Sequence, residues 1–146
     1  MCVNFFALYC SCCVVEINQE FELEHLQNRV CDILTCVCCL WLLGCGNSSL
    51  AVDLYNDGYE NIVNMDYSPV VISNMQKRHK AVCNIEWVVM DAMDMSAFPP
   101  SSFDVVLEKG TLDALLVAEK DPWKLSSEAE AMVDIILRQV IKLISC

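Results

Sequence analysis

The sequence predicts an α/β fold in which a parallel sheet of about four strands is flanked by helices. Short apolar segments of strand length alternate four times with helix-like segments, and short loops join them. The first segment, residues 36–43, is apolar throughout, which is typical of a parallel strand buried on both faces. The turn Gly44-Cys45-Gly46 follows it directly and leads into a helix-like stretch. We therefore expect right-handed crossovers and ligand binding at the carboxyl ends of the strands.

The chain divides into a divergent, cysteine-rich amino-terminal segment, residues 1–35, and a partial α/β domain, residues 36–146. Residues 1–19 show little periodicity, so no element is predicted there. Residues 20–34 carry apolar side chains along one helical face, which predicts an amphipathic helix. These side chains are Leu23, Leu26, Val30, Ile33 and Leu34.

Strands and helices alternate regularly after the glycine turn. Ser68 is placed to cap a helix with Pro69 as its first residue, and Gly58 is placed to end the preceding helix. The apolar patterns predict strands at residues 61–66, 85–91 and 102–108, and helices at 47–57, 68–80, 111–117 and 126–144. The last helix carries an apolar stripe formed by Val133, Ile136, Leu137, Val140 and Ile144.

The composition is that of a folded, acidic domain. The chain has 146 residues, is 55% hydrophobic and carries a formal net charge of −11. This acidity disfavours nucleic-acid binding, because like charges repel. The basic cluster at residues 77–80 is interpreted as a solvated helix end. No apolar run reaches the roughly 18 residues of a membrane-spanning helix, so no membrane span is expected.

The 11 cysteines include two Cys-x-Cys-Cys runs, at residues 10–13 and 36–39. A zinc site is disfavoured because the flanking residues are apolar rather than turn-forming, and adjacent thiols in a strand face opposite ways. An odd number of cysteines also argues against a complete set of disulfides. We expect no bound metal, reduced thiols and a cytoplasmic location.

The polar residues at the predicted strand ends form a candidate nucleoside site. Gly44 allows a tight turn, and Gly46, which has no Cβ, lets a ligand approach the backbone. Asp66 ends the second strand, where a carboxylate can accept hydrogen bonds from both ribose hydroxyls, and Tyr67 beside it can lie against a purine. Asp91 ends the third strand and can accept from an adenine amino group, with the Ala92 N–H reaching a ring nitrogen.

Both a dinucleotide and S-adenosylmethionine fit such a site. The dinucleotide fingerprint requires Gly or Ala at its third glycine position, which is Ser49 here. The fourth strand segment, FDVVLEKGTLDALL, is also not a requirement of nicotinamide enzymes. A dinucleotide-binding domain is therefore kept as an alternative.

Four segments, LLGCGNS, NMDYSPVVISNMQKRH, MDAMDMSAFPPSSFDVVLEKGTLDALL and DPW, resemble the seven-strand, class I S-adenosylmethionine-dependent methyltransferases. Within that family the chain is similar to the protein-lysine methyltransferases that act on eukaryotic elongation factor 1 alpha. The resemblance covers about residues 42–144, and FDVVLEKGTLDALL is its most specific part. It implies a Rossmann-like parallel sheet, S-adenosylmethionine as cofactor and a protein lysine as methyl acceptor.

The resemblance also implies cofactor contacts at six of the strand-end residues: Gly44, Asp66, Tyr67, Asp91, Ala92 and Lys109. Gly46 is the seventh predicted cofactor-binding residue, because it lies in the glycine turn. A lysine side chain with a pKa near 10.4 is almost entirely protonated at neutral pH, so the enzyme must remove its proton or desolvate it. Glu108 and Asp113 are our candidates for orienting that amine.

The chain stops before the fifth strand and the final hairpin of the family, so we expect a truncated form whose catalysis is at most weak. With four strands in the family order, the first strand lies between the second and the fourth. The fourth strand is then predicted to be an outer strand with unpaired backbone groups, and exposed edges of this kind favour association. Part of the apolar stripe of the last helix is also expected to remain uncovered. A non-catalytic fragment that binds partners or a second copy through this edge is the other alternative.

Overall fold

The computed structural model describes residues 6–10, 13–17, 39–119 and 124–144, the first two ranges through their backbone alone. The strands are β1 Phe6–Cys10, β2 Cys13–Ile17, β3 Leu40–Leu43, β4 Ile62–Asp66, β5 Ile85–Val89 and β6 Val105–Lys109. The helices are α1 Leu50–Asn56, α2 Pro69–Arg78, α3 Thr111–Leu115 and α4 Ser127–Ile144. The helix predicted at residues 20–34 and the start of the first predicted strand lie outside the described residues.

The six strands form one sheet in the order β2-β1-β6-β3-β4-β5. The four strands β6, β3, β4 and β5 run parallel, with β3 between β4 and β6. This confirms the predicted α/β fold and the predicted neighbours of the central strand. Their carboxyl ends lie at one edge of the sheet, where Leu43 is level with Met65 and Glu108.

The prediction that the fourth parallel strand, β6, is an outer strand is wrong. β1 pairs with it antiparallel, with Leu8 opposite Leu107, and β2 pairs with β1 in turn. The outer strands of the described sheet are therefore β2 and β5. The pairing was missed because β1 and β6 are far apart in the chain, and no local pattern records such a contact. The open edge on which we based the expectation of self-association is not at β6.

Several element boundaries differ from the predicted ones. Asp91 does not end the third parallel strand as predicted, because β5 stops at Val89 and Asp91 lies in the loop after it. Two further differences have local reasons. Helix α1 begins three residues late, at Leu50, because residues 47–49 complete the glycine turn, in which the Ser48 N–H donates to the Cys45 carbonyl (3.2 Å). Strand β6 begins at Val105 because the segment before it bonds to the end of α4. Ser101 N donates to the Lys142 carbonyl, and Phe103 N donates to the Leu143 carbonyl, both at 3.1 Å.

The core has two layers because alternate strand residues face opposite sides of the sheet. One layer packs Leu40 and Leu42 against α1 and α2, with Ile62, Ile72 and Leu107 also buried. The other layer packs Trp41 and Leu43 against α4, with Met65, Val106, Ile136, Val140 and Leu143 also buried. Trp41 is fully buried and stacks on Phe103 at a centroid distance of 5.0 Å.

The apolar stripe of α4 is mostly covered by the sheet. Ile136, Val140 and Ile144 are buried, whereas Val133 and Leu137 are half-buried. In the part of the chain that the structure describes, no helix combines the length and apolar character needed to cross a bilayer.

Truncating the buried side of α4 is expected to destabilise the fold, whereas truncating its outer side is not. Ile136→Ala should lower the free energy of unfolding by about 2–5 kcal/mol, because the side chain leaves a cavity in the core. The neighbouring Ile135, which is 39% exposed, is the control, and Ile135→Ala should cost about 1 kcal/mol or less. Urea denaturation measures both values, and equal losses would contradict the described docking of α4.

Candidate functional site

The glycine turn is attached to β4 through its backbone N–H groups. The Gly44 N–H points at Met65 Sδ (3.2 Å), the Cys45 N–H donates to the Met65 carbonyl (2.9 Å), and the Gly46 N–H donates to Asp66 Oδ2 (2.9 Å). Three consecutive amides are thus directed into the protein. The strand β4 therefore sets the position of the turn.

Gly44 is the one residue of the turn at which a side chain has no room. Its φ is +70°, and a Cβ built on it would lie 2.0 Å from Thr111 Oγ1. Gly46 has φ +52° and open space where a Cβ would be. The tight turn predicted at Gly44 therefore agrees with the geometry, whereas the approach of a ligand to the Gly46 backbone stays a prediction.

Asp66 links the glycine turn to the start of α2. The residue is buried, and its Oδ2 accepts from Gly46 N while its Oδ1 accepts from Ser68 N (2.9 Å). The Ser68 hydroxyl in turn accepts from Val71 N (3.3 Å), with Pro69 as the first residue of the helix, which confirms the predicted cap. Each carboxylate oxygen has a second lone pair, so Asp66 can still accept a hydrogen bond from a ligand.

Two adjoining cavities lie at this edge of the sheet. The first, of about 470 Å³, extends along the glycine turn, and the second, of about 290 Å³, lies beside the loop after β5. Gly44, Tyr67 and Thr111 line both of them. The seven predicted cofactor-binding residues all line this pair of cavities: Gly44, Gly46, Asp66, Tyr67 and Lys109 the first, and Gly44, Tyr67, Asp91 and Ala92 the second. Their contact with a cofactor remains a prediction.

The loop that carries Asp91 and Ala92 is held by α4. Asp91 Oδ1 accepts from Met93 N (2.8 Å) within the loop. The Gln139 side chain of α4 accepts from Met95 N (2.9 Å) and donates to the Met93 carbonyl. The role of Gln139 was not predictable from the sequence, because its partners lie more than 40 residues away in the chain.

Four residues that complete the cavity walls were not predicted from the sequence. Thr111 and Leu115 of α3 and Met90 and Met93 of the loop line the second cavity. Thr111 was predicted only as the first residue of a helix. The signal available in the sequence was its position directly after Gly110, which ends the fourth predicted strand. A residue that follows this strand lies at the same edge of the sheet as the glycine turn.

Glu108 and Asp113, our candidates for orienting an amine, line neither of these two cavities. Glu108 is 1% exposed, and its Oε1 accepts from the backbone N–H groups of Thr111 (2.5 Å) and Leu112 (3.1 Å). Its Oε2 is buried without a hydrogen-bond partner in the described residues. Glu108 thus accepts from the first two backbone N–H groups of α3, and the predicted catalytic roles of both carboxylates stay predictions.

Burial governs the ionisation of the two buried acidic groups beside the turn. It raises the pKa of Glu108, although the N–H groups of Leu112 and Thr111 oppose the shift. Burial, and then the neighbouring Asp66 carboxylate, raise the pKa of the Cys45 thiol from 9.0 to about 12. A thiol with this pKa is neutral at physiological pH, so Cys45 is not a nucleophile.

The described residues contain no cluster of His, Cys, Asp and Glu that could hold a metal ion. The Cys-x-Cys-Cys runs lie outside the described side chains, except for Cys39. The expectation that these runs hold no zinc therefore remains a prediction.

Comparison with known proteins places the chain among methyltransferases. Residues 41–134 match the methyltransferase domain family. The chain is 50% identical over 103 residues to mouse EEF1A lysine methyltransferase 4, a match that covers 70% of this chain and 40% of that protein. It is 45% identical over 86 residues to the human eEF1A lysine and N-terminal methyltransferase, covering 55% of this chain and 11% of that protein. The chain thus spans less than half the length of these relatives.

Solved structures share the fold at lower sequence identity. The PH0226 protein from Pyrococcus horikoshii OT3 aligns with a TM-score of 0.60 and 18% identity, over 84% of this chain and 51% of that chain. The [4+2]-cyclase SpnF aligns with a TM-score of 0.53 and 16% identity, over 84% of this chain and 41% of that chain. At these identities the alignments establish the fold alone.

Placing a methyl group at Gly44 should be far more damaging than placing one at Gly46. Gly44→Ala combines a positive φ with a clash against Thr111, so it should lower the free energy of unfolding by more than about 2 kcal/mol. Gly46→Ala meets no clash, so it should lower the free energy of unfolding only by the cost of a positive φ in alanine, about 1–2 kcal/mol. Urea denaturation of both variants measures the difference.

Thr111→Ala in the Gly44→Ala background tests the cause. It removes the two side-chain atoms nearest to the new methyl group, so it should recover part of the lost stability. Equal damage from the two glycine variants, or no recovery in the double variant, would contradict the described contact.

Glu108→Gln should make folding stability less sensitive to pH. Because the pKa of Glu108 is raised above its ordinary value of 4.5, the unfolded chain loses this proton first as the pH rises. The stability contributed by wild-type Glu108 is therefore greatest at acid pH and falls as the pH rises through the raised value. Glutamine keeps an oxygen that can accept from Thr111 and Leu112 without this ionisation.

Urea midpoints between about pH 5 and pH 8 should therefore shift in favour of Glu108→Gln relative to the wild type as the pH rises. Glu130→Gln, on the exposed side of α4, controls for the loss of one negative charge. A stability difference between Glu108→Gln and the wild type that does not change across this range would show that burial of the carboxylate has no energetic consequence.

Proposed function

This chain belongs to the methyltransferase domain family, and we propose that it transfers a methyl group from S-adenosylmethionine to a lysine side chain of eukaryotic elongation factor 1 alpha. The observation that carries the proposal is the geometry of the glycine turn. Its backbone N–H groups are directed to Met65 and Asp66 of β4, and Asp66 also lines the first cavity. The names of the relatives, which include two kinds of eEF1A lysine methyltransferase, support the substrate.

The hydrogen bonds of the turn favour S-adenosylmethionine over a dinucleotide. A pyrophosphate is held by free backbone N–H groups of a glycine-rich turn and the helix that follows it. The amides of Gly44, Cys45 and Gly46 are instead directed to Met65 and Asp66. A nucleoside without a phosphate needs an acceptor for its ribose hydroxyls, and Asp66 supplies one.

The residues around the two cavities match the parts of this cofactor. Asp66 binds the ribose, and the exposed ring of Tyr67 covers one face of the adenine, with Asp91 and Ala92 at its edge. The exposed Lys109 at the first cavity is suited to the carboxylate of the methionyl group. When bound, S-adenosylmethionine supplies an electrophilic methyl group on a positively charged sulfur.

The chain contributes a partly apolar wall on the side where an acceptor can enter. Tyr67, Met93 and Leu115 line the second cavity and are 81%, 40% and 40% exposed. An apolar surround disfavours the protonated amine, because desolvation lowers the pKa of a lysine. Holding the neutral amine in place then provides most of the rate, since methyl transfer needs no covalent enzyme intermediate.

The location follows from the substrate. We propose a cytoplasmic protein, in line with the reduced thiols expected from the sequence. A chain that binds the cofactor without transferring a methyl group would instead be a non-catalytic interaction module of the same fold.

Cofactor binding is tested by calorimetry with S-adenosylhomocysteine. Asp66→Ala should weaken binding by about 1.5–3 kcal/mol, because hydrogen bonds to a charged acceptor are lost. Asp134→Ala, which removes an exposed carboxylate of α4, should leave the affinity unchanged. NAD should not bind, and methyl transfer to elongation factor 1 alpha should be detectable with labelled cofactor.

Three results would count against the proposal. Equal affinity of the wild type and Asp66→Ala would remove the ribose assignment, and binding of NAD in preference to S-adenosylhomocysteine would favour the dinucleotide alternative. Tight cofactor binding without methyl transfer to the elongation factor would favour the non-catalytic interaction module over the proposed activity.

A further inference from the structure

Thr111 occupies the junction between the two cavities and the glycine turn. It is the first residue of α3 and lines both cavities. Its hydroxyl donates to the Leu43 carbonyl at 2.9 Å and lies 3.4 Å from the Gly44 carbonyl.

The hydroxyl completes the attachment of the turn on the side opposite to β4. The N–H groups of Gly44, Cys45 and Gly46 are directed to β4, and the carbonyl groups of Leu43 and Gly44 face Thr111. Glycine has more backbone freedom than any other residue, so a turn containing two glycines needs such external contacts to stay in one conformation. The turn is therefore held from both sides.

Thr111 is itself held by β6. The buried carboxylate of Glu108 accepts from the backbone N–H groups of Thr111 and Leu112, which fixes the start of α3. The same helix supplies Ala114 to the wall of the first cavity and Leu115 to the wall of the second. A continuous path of hydrogen bonds thus runs from the end of β6 through α3 to the glycine turn.

We propose that Thr111 is a positioning residue, whose hydroxyl locks α3 to the glycine turn so that the two cavities keep a fixed relative position. The inference rests on the proposed function, in which the cofactor extends from the first cavity, beside Asp66 and Lys109, into the second, beside Asp91 and Ala92. Methyl transfer requires nitrogen, methyl group and sulfur in line at near-contact distance, and small displacements reduce the rate strongly. A rigid link between the turn and the wall helix meets this requirement.

Two substitutions separate the hydroxyl from the methyl group of Thr111. Thr111→Val keeps the shape and removes the donor, whereas Thr111→Ser keeps the donor and removes the methyl group. Thr111→Val should bind S-adenosylhomocysteine about tenfold more weakly, as expected when a buried carbonyl loses its hydrogen bond. Thr111→Ser should stay within about threefold of the wild type. Thr111→Ala, which leaves more room than valine, should behave like Thr111→Val.

A second measurement reports on the turn without any ligand. Amide hydrogen exchange at Gly44, Cys45 and Gly46, followed by NMR, should be faster in Thr111→Val and Thr111→Ala than in the wild type and Thr111→Ser. Val140→Ala controls for stability, because this buried residue of α4 lies away from both cavities. It should lower the melting temperature without changing the affinity or the exchange of the turn relative to the rest of the sheet.

The outcomes distinguish the inference from the proposed function. Unchanged turn exchange in Thr111→Val and Thr111→Ala would overturn the role of Thr111, and so would a Thr111→Ser variant as impaired as Thr111→Val. Failure of the wild type to bind S-adenosylhomocysteine would contradict the proposed function. The exchange data would then still decide whether the hydroxyl fixes the turn.

Discussion

The site depends on the close approach of the Gly44 backbone to the Thr111 side chain. A Cβ at Gly44 would lie 2.0 Å from Thr111 Oγ1, so α3 and the end of β3 can meet only if this residue is glycine. Directly after this contact the chain turns toward β4, where Asp66 accepts from Gly46. The absence of a side chain at Gly44 therefore allows the turn and α3 to lie together at the edge of the two cavities.

The two buried carboxylates at this edge accept hydrogen bonds from backbone amides rather than from cationic side chains. Asp66 accepts from Gly46 and Ser68, and Glu108 accepts from Thr111 and Leu112. This choice suits a chain with 20 acidic and only 9 basic residues, in which cations for buried pairs are scarce. Each carboxylate also accepts a hydrogen bond from a backbone N–H at the start of a helix. The acidic residues therefore organise the local backbone as well as offering lone pairs to a ligand.

The features predicted correctly from the sequence are those that depend on residues close together in the chain. Uninterrupted apolar runs identified the parallel strands, and Ser68 followed by Pro69 identified the start of α2, because these signals act within a few residues. The strand ends then placed seven candidate residues around the paired cavities. Contacts between distant segments were not predictable in this way. The pairing of β1 with β6, the hydrogen bond from Thr111 to the Leu43 carbonyl and the contacts of Gln139 with the loop after β5 all depend on the assembled fold.

The amino-terminal hairpin has a consequence for how the sheet is completed during synthesis. Phe6 pairs opposite Lys109, so β1 emerges from the ribosome about a hundred residues before its partner on the parallel sheet. At about 5–20 residues per second, this delay lasts several seconds. The strands β3, β4 and β5 can associate as soon as each one emerges, but the hairpin must wait for β6. Closing the sheet on that side is therefore a late step of cotranslational folding.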